Sequence, residues 1–189
     1  MRLFLSVNFD ETTKERFTQI QDRMREQGKG RFTPLENFHM TLVFFGEMPD
    51  ELVPIICTAM QSIKISKTRG IKFAQIGCFS ESKNLWWAGI EGNRQLNDLQ
   101  QRITEKLDQM GIWYEKERFF PHVTLVRNYH AGKGFDKRKA FGKPFTCTVD
   151  SFSLMESVLG ETGPKYIEIE TFRVKDRERR GESYENFGA

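Results

Sequence analysis

Apolar and polar positions follow strand and helix periodicities through the first half of the chain. They predict a strand, a helix, a strand, a helix and a strand over residues 2–8, 10–27, 37–45, 50–63 and 70–79. Asp10 is a typical N-cap for the first helix, and the glycines of residues 28–30 are expected to end it. Pro54 is expected to kink the start of the second helix. The apolar side of the first helix consists of Phe17, Ile20 and Met24.

The second half of the chain begins with the same order of elements. We predict a strand, a helix, a strand, a basic helical turn and two final strands, over residues 84–91, 93–110, 119–128, 133–141, 144–157 and 164–174. Gly111 is expected to stop the long helix, and the last two strands are predicted to form a hairpin around Gly160–Gly163. The apolar side of the long helix consists of Leu96, Leu99, Ile103 and Leu107.

A shift of 83 residues superimposes the two halves, placing the segment LFLSV on WWAGI and the first helix on the third. The repeat predicts an α+β fold of two lobes related by a pseudo-twofold axis. Each lobe is expected to be a mainly antiparallel sheet with outer helices, and the two to enclose a central cleft. We predict one bilobal domain over residues 1–172, made of two lobe repeats at about 2–80 and 84–172. Residues 173–189 are predicted to form a charged C-terminal tail.

Composition restricts the class of protein without identifying it. The 189 residues are 38% hydrophobic, which is enough for a packed core. A net charge of +3 suits an anionic ligand but is too small to indicate bulk nucleic-acid binding. No apolar run is long enough to span a membrane, and the N-terminus does not resemble a signal peptide. The separated Cys57, Cys78 and Cys147 are expected to be reduced core thiols, and we predict a cytoplasmic monomer.

Two similar segments, FHMTLVF and PHVTLVR, carry the candidate chemistry. Each places a histidine and, two residues later, a threonine in a predicted strand. Because residues i and i+2 share a strand face, His39 points with Thr41, and His122 points with Thr124. If the pseudo-twofold axis brings those faces together, two imidazoles and two hydroxyls meet in one cleft.

Paired imidazoles and hydroxyls suit phosphodiester cleavage. Imidazole titrates near neutral pH, so two of them can divide proton transfer between one acid and one base. Threonine hydroxyls can donate to the nonbridging oxygens of an anion. Such a reaction requires no metal, and the sequence has no carboxylate cluster or His-x-His pair at ligand spacing, so we predict neither metal nor cofactor. A lone strand histidine is usually structural, but two of the three histidines begin the same tetrad, His-x-Thr-Leu.

Arg127 is a further candidate because its planar guanidinium suits phosphate. Strand parity puts it on the face opposite the histidine, unless a bulge or the strand end turns it inward. The basic residues 127–143 form either a solvated face or a cleft rim that attracts an RNA backbone. The third histidine, His130, is given no role. Trp86 and Trp87 are both expected in the core, with stacking on a base as the alternative for one of them.

The two tetrads, the opening MRLFLSV, the ENFHMTLVFFGE context and the WWAGIEG strand together resemble the 2H phosphoesterase superfamily. Within it, the chain is most similar to the bacterial and archaeal RNA 2′,3′-cyclic phosphodiesterases of the ThpR or LigT type, also called 2′-5′ RNA ligases. The resemblance extends to about residue 172, and the tail has no counterpart in it.

The resemblance implies that the chain hydrolyses a 2′,3′-cyclic phosphate at an RNA 3′ end to a 2′-phosphomonoester, with no metal or nucleotide cofactor. Carried over by position, it makes His39 the proton donor to the departing 3′ oxygen and His122 the proton acceptor that activates water. Thr41 and Thr124 would bind the phosphate. The arginine that often follows the second motif of the family matches Arg127.

Three rival hypotheses use the same residues. Another branch of the superfamily would cleave small cyclic nucleotides or 2′-5′ linkages. A non-catalytic RNA-end binder would use the cleft and the basic segment, although binding alone needs no matched acid and base. A metal site built on the two histidines ranks last.

Overall fold

Nine strands and four helices make up the part of the chain that this computed structural model describes, residues 1–64, 67–79, 84–161 and 163–173. The strands are β1 (Arg2–Asn8), β2 (Gly28–Phe32), β3 (His39–Glu47), β4 (Thr68–Phe79), β5 (Leu85–Ile90), β6 (His122–Ala131), β7 (Phe145–Val149), β8 (Ser151–Gly160) and β9 (Gly163–Arg173). The helices are α1 (Glu11–Arg25), α2 (Val53–Gln61), α3 (Arg94–Gln109) and α4 (Lys137–Phe141). Single 3₁₀ turns, Leu35–Asn37 and Asp50–Leu52, precede β3 and α2.

The strands form two antiparallel sheets, with the orders β3-β1-β8-β9 and β2-β6-β5-β4-β7. The predicted repeat appears as two equivalent pairs, since β1 lies beside β3 and β5 lies beside β6. The long helices α1 and α3 occupy equivalent places in the chain, one within each repeat. The predicted α+β class with two lobes is confirmed.

The two halves of the chain exchange strands. From the second half, β8 and β9 join the sheet of β1, and from the first half, β2 and β4 join the sheet of β5 and β6. The spatial lobes are therefore not the contiguous halves, about 2–80 and 84–172, that the repeat predicted. After pairing with β3 and β6, the strands β1 and β5 each have an open edge, and a strand from the other half fills it.

Both sheets contribute to one hydrophobic core. Phe17 of α1 packs, at ring-centroid distances of 4.9–5.5 Å, against four phenylalanines from both halves: Phe9, Phe38, Phe73 and Phe145. The single domain over residues 1–172 stays a prediction. Of the predicted tail, residues 174–189 lie outside the described residues. None of the described helices is long and apolar enough to cross a membrane.

The first long helix begins, and the second one ends, as the sequence predicts. Asp10 accepts a hydrogen bond from the backbone N–H of Thr13 at 2.7 Å, and Gly111, just after α3, has a φ of +66°. The apolar sides of α1 and α3 that the sequence predicted are buried. Pro54 lies in the first turn of α2, where its missing N–H breaks no helical hydrogen bond. The helix begins at Val53 and not at residue 50, because a 3₁₀ turn occupies Asp50–Leu52.

Two parts of the strand prediction were wrong. Residues 28–30, which were expected only to end α1, begin the strand β2. The sequence did not indicate this strand, because its glycines and cations lack apolar alternation. Gly28 lets β2 approach β6, since a Cβ there would lie 2.6 Å from the carbonyl oxygen of His130. The predicted strand 144–157 is two strands in different sheets, β7 and β8, which are separated at Asp150.

The cysteines are free, and two of the three lie where the sequence predicted. Cys57 and Cys147 are buried, whereas Cys78 is half-buried. Burial raises the pKa of the Cys57 and Cys147 thiols to about 12, so both remain protonated at neutral pH.

Candidate active site

The two motif histidines begin equivalent strands and make equivalent hydrogen bonds. His39 is the first residue of β3, and its Nδ1 lies 2.8 Å from the carbonyl oxygen of Asn37. His122 is the first residue of β6, and its Nδ1 lies 2.7 Å from the carbonyl oxygen of Phe120. A carbonyl only accepts, so each Nδ1 carries the proton and donates it. This fixes the tautomer and leaves each Nε2 as the atom that can exchange a proton with a ligand.

The motif threonines share the faces of their histidines, as strand alternation predicts. Thr41 and Thr124 are half-buried, and within the described residues neither hydroxyl has a hydrogen-bond partner. The intervening and following apolar residues are buried on the other face: Met40, Leu42, Val123 and Leu125. Each lobe thus presents one imidazole and one hydroxyl that are available to a ligand.

The structure brings these groups together. Strands β3 and β6 lie against each other although they belong to different sheets. Burial lowers the pKa of His39 to about 4, with further lowering by the positive charges of His122 and Arg127, while its hydrogen bond to Asn37 opposes the change. Burial also lowers the pKa of His122, and Arg127 adds to that effect. Both imidazoles are therefore neutral at pH 7 in the ligand-free protein, and Arg127 is close enough to influence both.

A register shift explains how Arg127 reaches this cleft. In the pairing of β6 with β5, Thr124 faces Trp87 and Val126 faces Trp86, so Leu125 is an extra residue. Leu125 and Val126 are both buried, which reverses the parity and places Arg127 on the face of Thr124. The bulge thus explains why Arg127 shares the face of Thr124, although strict strand alternation would place it on the opposite face.

The same irregularity occurs in the first motif. In the pairing of β1 with β3, Ser6 faces Thr41 and Leu5 faces Val43, so Leu42 is the extra residue. Leu42 and Leu125 are the fourth residues of the two tetrads, 83 positions apart. The duplication therefore includes the bulge as well as the side chains.

Gln21 holds the bulge of β6 and was not identified from the sequence. Its side chain is buried, and its Nε2 donates to the carbonyl oxygens of Leu125 at 2.7 Å and Thr33 at 2.9 Å. The N–H of Thr33 also donates to Leu125, at 2.9 Å. The sequence signal was a glutamine on the buried side of α1, one residue after Ile20.

Different aromatic side chains surround the two histidines. The ring of His39 contacts Tyr166 and Phe4, with centroids 4.8 and 5.0 Å away. The ring of His122 contacts Phe79 at 5.2 Å and Phe120 at 5.7 Å. Each histidine thus has its own wall of aromatic rings.

Both tryptophans are buried, as predicted, and Trp87 also contributes to the wall of His122. Trp86 packs in the core, but Trp87 lies on the face of Thr124, 4.9 Å from Phe120 between centroids. Its indole lies so close over β4 that a Cβ on Gly77 would fall 2.0 Å from the ring. Within the described residues, its Nε1 is buried without a hydrogen-bond partner. The sequence could not distinguish the two faces of a strand in which every residue is buried.

Tyr166 of β9 is the second site residue that sequence reasoning missed. Besides touching His39, its ring packs against Phe4 at 5.1 Å. Burial raises the pKa of its hydroxyl, while the charges of Arg127 and Arg2 oppose this. A tyrosine in a strand is ordinary β-propensity and gave no signal.

No group of three or more histidine, cysteine, aspartate or glutamate side chains within the described residues is arranged to hold a metal ion. It does not test whether the reaction needs a metal, so the metal-free reaction stays a prediction. The potential ligands that the cleft does offer are the two neutral imidazoles and two hydroxyls.

Residues 7–87 and 90–166 match the sequence model of the LigT-like phosphoesterases. The chain belongs to this family. Each matched segment contains one His-x-Thr motif and corresponds to one half of the internal repeat. The membership confirms the resemblance that the motifs indicated.

Known relatives cover most of the chain. It is 26% identical over 172 residues to an RNA 2′,3′-cyclic phosphodiesterase of Thermotoga maritima, covering 88% of this chain and 91% of the relative. It is 33% identical over 129 residues to an RNA 2′,3′-cyclic phosphodiesterase of Methanocaldococcus jannaschii, covering 67% of this chain and 71% of the relative. The crystal structure of Escherichia coli LigT in apo form has the same fold, with a TM-score of 0.76 and 20% identity over 91% of this chain and 96% of that one.

Proposed function

We propose that this phosphoesterase hydrolyses the 2′,3′-cyclic phosphate at RNA 3′ ends to a 2′-phosphomonoester. The observation that carries the proposal is the pair of His-x-Thr motifs at equivalent starts of β3 and β6, with both Nε2 atoms available. Relatives that share the family and cover most of the chain are named RNA 2′,3′-cyclic phosphodiesterase. We further propose that the protein acts as a cytoplasmic monomer.

In the proposed reaction His122 is the base and His39 is the acid. The Nε2 of His122 accepts a proton from water, the water oxygen attacks phosphorus, and the bond from phosphorus to the 3′ oxygen breaks. The Nε2 of His39 gives its proton to that oxygen, so the phosphate remains on the 2′ oxygen. Thr41, Thr124 and Arg127 bind the nonbridging oxygens and stabilise the charge on the phosphorus centre.

The acid must acquire its proton when the substrate binds. With a pKa of about 4, His39 is uncharged at pH 7 in the free protein. The bound phosphate brings a negative charge beside it, which favours the imidazolium and raises its pKa. The same anion acts on His122, whose pKa is lowered less, so the assignment of acid and base rests on the family resemblance. The pH profiles described in the Discussion test that assignment.

The direct test is hydrolysis of an oligoribonucleotide that ends in a 2′,3′-cyclic phosphate, with excess chelator present. We expect turnover, with a 2′-phosphomonoester as the product, and no turnover by the His39→Ala/His122→Ala variant. As a control, the Arg94→Gln variant, which changes an exposed residue of α3, should hydrolyse the oligoribonucleotide at the wild-type rate. Loss of turnover in chelator, or turnover by the double variant, would contradict the proposed mechanism.

A related candidate is hydrolysis of small cyclic nucleotides by the same residues. It predicts equal kcat/KM for a nucleoside 2′,3′-cyclic phosphate and for an oligoribonucleotide with the same terminal nucleotide. A non-catalytic binder predicts salt-sensitive binding of the oligoribonucleotide with no product. Measuring product formation from both substrates therefore distinguishes the proposed function, the mononucleotide enzyme and the non-catalytic binder.

A further inference from the structure

Strands β2 and β6 form a two-stranded edge whose cleft-side face is basic. In their pairing Arg31 faces Arg127 and Lys29 faces His130. Residues directly opposite each other in an antiparallel pair project to the same side. The neighbouring pair of Phe32 and Val126 turns toward the core, so the basic pairs lie on the face of Thr124.

These basic side chains have no acidic partners in the described part of the chain. Lys29, Arg31, Arg127 and His130 are all exposed, and none is in an ion pair with a described carboxylate. Like charges directly across an antiparallel pair destabilise it. Arg31 opposite Arg127 therefore costs folding free energy, and an anion bound between them would remove that cost.

The basic face continues past the end of β6 into a cavity. The cavity has a volume of about 480 Å³, and its lining includes Lys29, His130 and Lys133, with Glu26 as its one acidic residue. From Arg127 to Ala131 the strand extends about 13 Å. Cationic groups thus follow one another from the catalytic cleft outward, and β2 is at the edge of its sheet.

We propose that this basic edge, comprising Lys29, Arg31, His130 and Lys133, binds the sugar–phosphate backbone of single-stranded RNA leading to the cyclic end. The proposal rests on the proposed function and specifies its substrate class as an oligonucleotide, not a mononucleotide. A linear polyanion is the ligand that fits a row of unpaired cations, because positively charged grooves track a nucleic-acid backbone in this way. Arg127 belongs to both sites, holding the reacting phosphate at the inner end of the row.

The test compares two substrates in two variants. The double variant Lys29→Gln/Arg31→Gln removes two cations from the basic edge, and Arg69→Gln/Arg94→Gln removes two exposed cations elsewhere. With an oligoribonucleotide of about six residues ending in a cyclic phosphate, the first variant should lose on the order of 10-fold in kcat/KM. With the matching nucleoside 2′,3′-cyclic phosphate it should stay within about twofold of wild type, as should the control variant with both substrates.

Binding and stability separate this role from a structural one. For an oligonucleotide carrying the 2′-phosphate product end, measured by fluorescence anisotropy, the slope of log affinity against log salt should become shallower by about 1.4 in the Lys29→Gln/Arg31→Gln variant, which corresponds to two lost phosphate contacts on a single strand. Its Tm should be equal to or above that of wild type, because like-charge repulsion is removed.

Two results would overturn the proposal. One is an equal loss with both substrates, and the other is an unchanged salt slope. Failure of the proposed function looks different, since the wild-type protein would then hydrolyse neither substrate while oligonucleotide binding could still be measured.

Discussion

The cleft pairs two histidines that share a backbone frame and differ in their neighbours. Both begin a strand, both donate Nδ1–H to the carbonyl oxygen two residues earlier, and both precede a bulge at a leucine. Yet the position of the first half that is equivalent to Arg127, 83 residues earlier, is occupied by Phe44. The guanidinium carbon of Arg2 lies 4.9 Å from the centroid of the Phe44 ring. The two halves have therefore kept the same backbone frame for their histidines, whereas only the second half carries an arginine at this position.

Removing either imidazole should have the largest effect. We expect His39→Ala and His122→Ala each to lower kcat on the order of 10²–10⁴-fold, because each removes a positioned acid or base. If His122 is the base, His122→Ala should abolish the acidic limb of the pH–rate profile and His39→Ala the basic limb. The opposite pattern would reverse the roles while leaving the paired mechanism intact.

Replacing the arginines should show how far the halves have diverged. Arg127→Ala is expected to lower kcat/KM roughly 10²-fold, because a charge-stabilising group is lost from the cleft. Arg127→Lys should restore only part of this, since the ammonium lacks the planar fork that suits phosphate. Arg2→Ala serves as the matched control and should cost less than about threefold. Equal losses for Arg2 and Arg127 would mean that an arginine from each half contributes to phosphate binding.

The stability of the ligand-free protein should also distinguish the two histidines. The pKa of His39 is about 4 when folded, below its ordinary value of 6.5, so the unfolded chain binds the proton more readily. Stability is then full above pH 6.5 and falls between pH 6.5 and 4, by about 2 kcal/mol for this half-buried group. Urea unfolding of His39→Asn should show a flatter pH dependence over that range. His122→Asn should flatten it less, since the pKa of His122 is lowered less.

Local periodicity made much of this structure predictable. The N-cap of α1, the end of α3, the buried sides of both helices, the strands that carry the motifs, and the shared faces of His39 with Thr41 and His122 with Thr124 all depend on residues close in sequence. Such features are encoded in the spacing of side chains.

The features that the sequence did not reveal depend on pairing between distant strands. The orientation of Arg127 depends on a bulge held by Gln21, which lies 104 positions before Leu125. The strand β2 has no apolar alternation of its own, so its strand conformation depends on pairing with β6. Tyr166 reaches His39 only because β9 joins the sheet of β3.

The exchange of β4 and β8 also bears on how the protein is synthesised. A nascent chain that has left the ribosome only as far as residue 150 lacks β8, so the edge of β1 that β8 covers is bare. Tyr166 emerges later still, on β9. Cutting the gene between the repeats would therefore yield two fragments that must associate to complete each other's sheets, not a pair of self-sufficient half-enzymes.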